Sequence, residues 1–308
     1  MIRARVGART DVGRIRDGNE DSFVAIDGLY FVADGMGGHS AGEVASAIAV
    51  GTLSDLHTSA DGGLADEDQV ADAVSTANLA IFMEAIDDPS KAGMGTTLTG
   101  LVVTDASSNK IVVANVGDSR TYLWRHGELR QVTKDHSHVQ SLVDRGAITR
   151  AEARVHFQRN IVLRAMGIES YVDVDTFPLD VEDGDRFIMC SDGLVDEAAD
   201  DEIEVEIREA TDVQDLADRL VNLANRNGGR DNITVVVVDF ETVVDFETVD
   251  APVVVGPEPD DEDGYTIICA LPAPETSRPS HWFAVGAWSM FVLSAAIAIT
   301  VVVSALVS

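Results

Sequence analysis

The chain has 308 residues and a formal net charge of -31, with Asp and Glu at 53 against Lys and Arg at 22. An acid excess of that size repels a phosphate backbone, which argues against nucleic-acid binding. Two cysteines, Cys190 and Cys269, sit in neither metal-ligand nor redox spacing, so no disulfide framework is indicated and a reducing compartment is expected. The opening residues mix Arg with polar side chains and carry no apolar stretch of a signal peptide.

Val24 to Val32 reads as two short strands about a turn at Asp27-Gly28. Helical patterns follow at Ala41–Leu56 and at Val70–Ile86, the second stopped by Pro89. Thr97–Thr104 and Lys110–Val116, rich in Val, Leu, Ile and Thr, predict a β-hairpin about a polar Asp105–Asn109 turn. Thr121–Trp124 and Leu129–Thr133 form a second pair about His126-Gly127. Val139–Arg145 reads as helix, Asp185–Cys190 as strand and Val213–Asn225 as amphipathic helix. Asn232–Phe240 is a buried strand built on the run Val235–Val238. Strands in hairpins and helices in separate blocks imply an α+β fold with mainly antiparallel sheets.

Three zones are expected: a globular domain over 1–240, an acidic proline-containing linker over 241–281, and a membrane segment over 282–307. The last contains no charged residue and begins with Trp282, Phe283 and Trp288. As a helix it would run roughly 39 Å, enough to cross a hydrocarbon core of about 30 Å with some tilt. Arg278 and His281 precede it and nothing charged lies beyond Val307. The expectation is a single-pass cell-membrane protein with its N-terminal domain in the cytoplasm.

Five acidic or glycine-rich nodes punctuate the globular zone: Arg14 to Asp21, Ala33 to His39, Val116 to Arg120, Cys190 to Leu194 and Gly228 to Thr234. Asp34, Asp118, Asp192 and Asp231 each stand at an expected strand terminus beside Gly or a polar residue. Glycine there permits close approach of backbone to a ligand. Aspartates converging at such points repel one another unless cations neutralise them. An oxygen-rich donor set with no paired Cys favours Mg²⁺ or Mn²⁺ over structural zinc, and two such ions can lower the pKa of a bound water.

In order, Arg16 with Asn19-Glu20-Asp21, Asp34-Gly35-Met36-Gly37-Gly38, Met94-Gly95-Thr96-Thr97, Gly117-Asp118-Ser119-Arg120, Ser191-Asp192-Gly193 and Asp231-Asn232-Ile233-Thr234 resemble the protein phosphatase 2C family. The likeness is greatest to bacterial members that oppose eukaryotic-like Ser/Thr kinases, and covers roughly residues 5–240. It implies a four-layer αββα sandwich of two antiparallel sheets flanked by helices, with the metal site at one edge. It implies a metal-dependent phosphatase acting on phosphoserine and phosphothreonine proteins, with Asp34 bridging two Mn²⁺ or Mg²⁺ ions and Gly35 offering its carbonyl. Asp192 and Asp231 would complete the pair, and Glu20 would hold a metal-bound water. Asp118 with Asp192 would match a weaker third-metal site, and Arg16 the clamp on substrate phosphate, a role suited to a planar fork. Relatives with His in place of Met36 use it as general acid; Met cannot donate a proton, which leaves a metal-bound water or His39.

The segment His136–Gly167 resembles the mobile flap of bacterial members and collects His136, His138, Arg145, Arg150, Arg154, His156, Arg159 and Arg164. Two readings stand: an ordinary helix surface with pairs such as Glu152–His156, or a dock for acidic phosphorylated peptides. A catalytically dead adaptor that recruits kinases to the membrane and a small-molecule phosphohydrolase are the competing functions; membrane Ser/Thr kinases are the expected partners of the active enzyme.

Overall fold

A computed structural model of the chain describes residues 2–37, 41–60 and 63–242. The chain divides into two units, Met1–Val249 and Asp250–Ser308, and every described element lies in the first. The acidic linker from residue 243 onward, the membrane segment 282–307 and His39 lie outside the described residues. Among the described residues no helix is long and apolar enough to cross a membrane.

Strand β1 (Ile2–Asp11), which the sequence reading left unassigned, pairs antiparallel along its length with β11 (Ile233–Thr242). β11 therefore runs past the domain end expected at 240. β2 (Asp21–Ile26) and β3 (Leu29–Met36) form the hairpin about Asp27-Gly28, where Gly28 has φ +78°. Helices α1 (Ala41–Ser59) and α2 (Glu67–Asp87) follow. The Asp66 side chain caps α2 by accepting from the Gln69 N–H at 2.8 Å, and Pro89 bars its continuation.

The short β4 (Gly95–Thr96) pairs with β3, and β5 (Leu98–Asp105) with β6 (Lys110–Val116) makes the expected hairpin. β7 (Arg120–Arg125) and β8 (Glu128–Gln131) are joined by His126-Gly127, both at positive φ, the geometry that matches strand twist in a two-residue turn. Then come α3 (His138–Asp144), α4 (Arg150–Arg154), β9 (Asp175–Asp180), β10 (Arg186–Cys190), α5 (Asp192–Val195), α6 (Asp200–Glu209) and α7 (Val213–Asn227).

The strands form two antiparallel sheets, one ordered β1-β11-β10-β7-β8, the other β2-β3-β5-β6-β9 with β4 on β3. Alternation along single strands shows how they stack. Leu29, Phe31 and Ala33 of β3 join a cluster with Ala45, Leu53, Val74 and Ile81 of α1 and α2, while Tyr30 and Val32 join an inter-sheet cluster. In β11, Val235 and Val237 pack on Leu216, Leu220 and Ala224 of α7, while Val236, Val238 and Phe240 face the other sheet with Phe187 and Met189 of β10. Helix, sheet, sheet and helix follow in that order, the αββα arrangement expected. Strands buried on both faces explain why β11 reads as a continuous valine run.

Candidate active site

The site lies where the loop 12–20, the end of β3, the β6–β7 link, the start of α5 and the residues before β11 meet. Hairpin register sets the first pair: Asp21 stands opposite Asp34. That partner can be counted back from the Asp27-Gly28 turn, so the signal was present in the sequence although Asp21 had no assigned role. The Asp34 carbonyl accepts from Thr97 N at 2.9 Å and from Thr96 Oγ1 at 2.9 Å, which fixes the β3 end. Asp34 lies two residues inside β3, and Asp192 opens α5 behind Ser191, so neither closes a strand as expected. Asp118 falls in the link between β6 and β7, and Asp231 precedes β11.

Close backbone approaches hold these pieces together. A Cβ at Gly35 would collide with the carbonyls of Glu20 and Gly42, and one at Gly193 with the carbonyl of Asn232. A Cβ at Gly42 would stand 2.8 Å from Glu20 Oε1, so the first turn of α1 presses directly on that carboxylate. Asn232 knits two loops: its Oδ1 accepts from Glu20 N at 2.8 Å, and its Nδ2 donates to the carbonyls of Val12 at 3.0 Å and Gly18 at 2.9 Å. Behind Asp231, the buried Glu197 carboxylate accepts from Arg230 N at 3.1 Å and Arg230 Nε at 2.6 Å.

Electrostatically the carboxylates form one group. Desolvation, then the charges of Asp192, Asp21, Asp118 and Asp231, holds Asp34 well above the ordinary carboxylate range. Asp192 is raised by desolvation and then by Asp118, Asp196, Asp231 and Asp21. Burial first, then Asp135, pushes Asp118 up to about 7. Burial, only partly offset by the hydroxyls of Thr234 and Ser191, pushes Asp21 up to about 6. Asp34 and Asp192 keep an edge of accessible surface, yet packed protein excludes most water around them. Glu20 is raised by desolvation, against the pull of Arg16 and the Gly42 N–H. The guanidinium at the mouth is Arg16, half-exposed, with Nη2 at 2.7 Å from Asp231 Oδ2.

Among the described residues no three His, Cys, Asp or Glu side chains close on one point at coordination distance. Backbone geometry nonetheless brings their segments together: Asp21 stands opposite Asp34, and Gly193, beside Asp192, packs against the carbonyl of Asn232, beside Asp231. Asp21 Oδ1 is buried and has no hydrogen-bond partner, an acceptor aimed at nothing the protein supplies. An all-oxygen donor set with an orphaned carboxylate oxygen suits hard divalent cations. Cys190 cannot serve as nucleophile: it is buried in β10, and burial pushes its thiol up to about 12.

In the flap segment the expected Glu152–His156 pair gives way to a different contact. Glu152 accepts from Thr149 N at 2.7 Å in a capping box, which replaces a Glu152–His156 pair. Arg159 bonds Asp196, Arg164 bonds Asp175, Arg154 bonds the Ala198 carbonyl and Arg145 bonds Ser141. These arginines clasp the body of the domain or their own helix.

Comparison with known proteins agrees with this geometry. Residues 19–235 match the family model described as Protein phosphatase 2C. The chain is 43% identical over 267 residues to the serine/threonine protein phosphatase PstP of Mycobacterium tuberculosis, covering 85% of this chain and 50% of that protein. It thus spans about half the length of the mycobacterial relative. It is 39% identical over 239 residues to the serine/threonine phosphatase stp of Listeria welshimeri, covering 75% of this chain and 94% of that one. A crystal structure of the catalytic domain of serine/threonine protein phosphatase PstP in complex with two manganese ions superposes with TM-score 0.71 at 39% identity, covering 79% of this chain and all of that one. Ordered motifs, stacked sheets and an oxygen-only site at their edge therefore have one explanation: the chain belongs to the protein phosphatase 2C family.

Proposed function

We propose that this chain is a metal-dependent protein phosphatase that hydrolyses phosphoserine and phosphothreonine on proteins and opposes bacterial Ser/Thr kinases. The observation that carries the reading is the convergence of Asp21, Asp34, Asp118, Asp192 and Asp231 beside Arg16 in a chain of this family. Asp34, the Gly35 carbonyl, Asp192, Asp231 and Glu20 would hold two Mn²⁺ or Mg²⁺ ions, and Asp118 with Asp192 a weaker third. Bound there, the ions would supply Lewis acidity toward the phosphoryl group and lower the pKa of water.

The chain's own residues do the rest. Arg16 exchanges its contact with Asp231 for the phosphoryl oxygens and orients them. Asn232 keeps Glu20 and the Arg16 loop in register with Asp231. The Thr96 and Thr97 bonds keep Asp34 from retreating under repulsion from its neighbours. Met36 offers no proton to the leaving alkoxide; water at the site is the proposed source, with His39 the alternative.

The sequence over 282–307 supports a single membrane-spanning helix that tethers a cytoplasmic catalytic domain, and such confinement favours membrane-bound kinases as targets. Full Mn²⁺-dependent turnover of p-nitrophenyl phosphate by Asp34→Ala or Asp231→Ala would reject the catalytic site; loss of turnover is expected. Membrane-fraction assays of the full chain against one ending at residue 242 test the tether, which fails if both stay soluble.

A further inference from the structure

The stretch from Leu163 to Asp173 links the flap helices to β9 and runs past the catalytic loop. Met166 is buried and bridges Thr96 in both directions, at 2.8 and 3.1 Å. The side chain of Ile168 covers Gly95, whose added Cβ would stand 2.9 Å from Ile168 Cδ1. Gly95 in turn pairs with Met36, the residue after Gly35.

A groove of about 520 Å³ opens along this line, with Met36, Leu163, Ile168 and Tyr171 among its walls. Its apolar side chains are unusually open to solvent: Leu163 is 58%, Ile168 49% and Tyr171 69% exposed. A folded chain leaves so much contiguous apolar surface uncovered mainly where something docks. Three charged side chains line it, Arg164, Glu169 and Asp173, and the cation is already engaged. Arg164 is committed to Asp175 at 2.6 Å and to the Asp173 carbonyl at 3.2 Å. The Asp173 carboxylate accepts from the Tyr171 hydroxyl at 2.9 Å, and among the described residues neither Asp173 nor Glu169 forms an ion pair. The groove begins two strand residues from Asp34, about 7 Å along the backbone. An extended peptide covers that distance in two or three residues.

We propose that the groove walled by Met36, Leu163, Ile168 and Tyr171 reads the phosphoprotein substrate, taking an apolar side chain two or three positions from the phosphorylated residue with a basic residue against Glu169 and Asp173. The proposal rests on the phosphatase reading above and adds the substrate class. An acidic neighbour at that position is disfavoured, since it meets an apolar wall and two carboxylates while the lining cation, Arg164, is already paired with Asp175.

The test is kcat/KM of the Mn²⁺-loaded enzyme on phosphothreonine peptides carrying Leu with Arg, Ala with Ala, or Asp with Asp two and three positions to either side. p-Nitrophenyl phosphate, which occupies the site without reaching the groove, is the reference. On one side of the phosphothreonine, Leu with Arg is expected to exceed Asp with Asp by about tenfold or more. Glu169→Lys should cut the Arg part of that preference roughly fivefold. Leu163→Asp, at an exposed position, should abolish the Leu part. Peptides turned over alike, or a preference unchanged in both variants, would overturn the groove while leaving the phosphatase intact. Wild-type enzyme that fails on p-nitrophenyl phosphate and on every peptide would overturn the phosphatase reading itself.

Discussion

Asp21 offers a direct measure of how far the site is built for cations. Replacing it by Asn keeps the shape and removes the charge. In the folded protein its pKa rises from the ordinary 3.8 to about 6, chiefly through burial. A raised carboxyl binds its proton more readily folded than unfolded, so stability falls as pH climbs from about 4 through 6 and stays low above. Roughly two units at about 1.4 kcal/mol each make a penalty of about 3 kcal/mol at pH 7.5, and roughly half that at pH 5. In a domain of this size Asp21→Asn should then raise the melting temperature of EDTA-stripped protein by about 6–12 °C at the higher pH, and by less at the lower. Taking the difference between variant and wild type at each pH cancels His136, which burial holds below its ordinary pKa and which opposes the trend. Added Mn²⁺ should invert the order, because a charge that is a burden alone becomes a partner for a cation. Calorimetry on both proteins with EDTA and with Mn²⁺ reads all four conditions. A stripped Asp21→Asn protein that is less stable than wild type at pH 7.5, or a gain equal at both pH values, would refute the reasoning.

Arg16→Ala should raise KM for p-nitrophenyl phosphate more than it lowers kcat, as steady-state kinetics will show, since the role proposed for the side chain is to bind phosphate and not to carry a reacting atom. Cys190 should resist thiol reagents in the native protein at neutral pH and label only on denaturation, because its thiolate is suppressed by burial. Leu220→Ala, in the wholly buried face of α7, should cost about 3 kcal/mol in urea unfolding followed by circular dichroism.

What could be read from the sequence was set by whether neighbours or distant partners decide the structure. The hairpins at Asp27-Gly28 and His126-Gly127 are local, since turn chemistry and flanking β-branched residues agree. The helix α7 shows its face because Leu216, Leu220, Leu223 and Ala224 recur at helical spacing. β1 is different. Its Arg5 and Arg9 find their shortest ion pairs across the fold, with Glu241 on β11 and Asp218 on α7. β9 contains Pro178, tolerable because the strand closes one edge of its sheet. In α6, Ile203, Val205 and Ile207 alternate with Glu in a strand-like period of two, yet the helix wins because Glu204–Arg208 and Glu206–Arg219 pair along and between helices. The candidate ligands were visible as Asp-Gly nodes, but that Asp231 should hold Arg16, and that Arg159 should turn inward to Asp196, depend on contacts far apart in sequence.

β11 lies in the interior of its sheet, between β1 and β10, and Asp231 stands at its threshold. Asp21 and Asp34 come from the opposite sheet. A chain emerging from the ribosome therefore cannot assemble this cleft until nearly the whole domain has been synthesised, and a fragment stopped short of β11 leaves two strands without their shared neighbour. The proposed activity would therefore appear only once β11 has slid home between β1 and β10, so that hydrolysis would certify that this domain has finished folding.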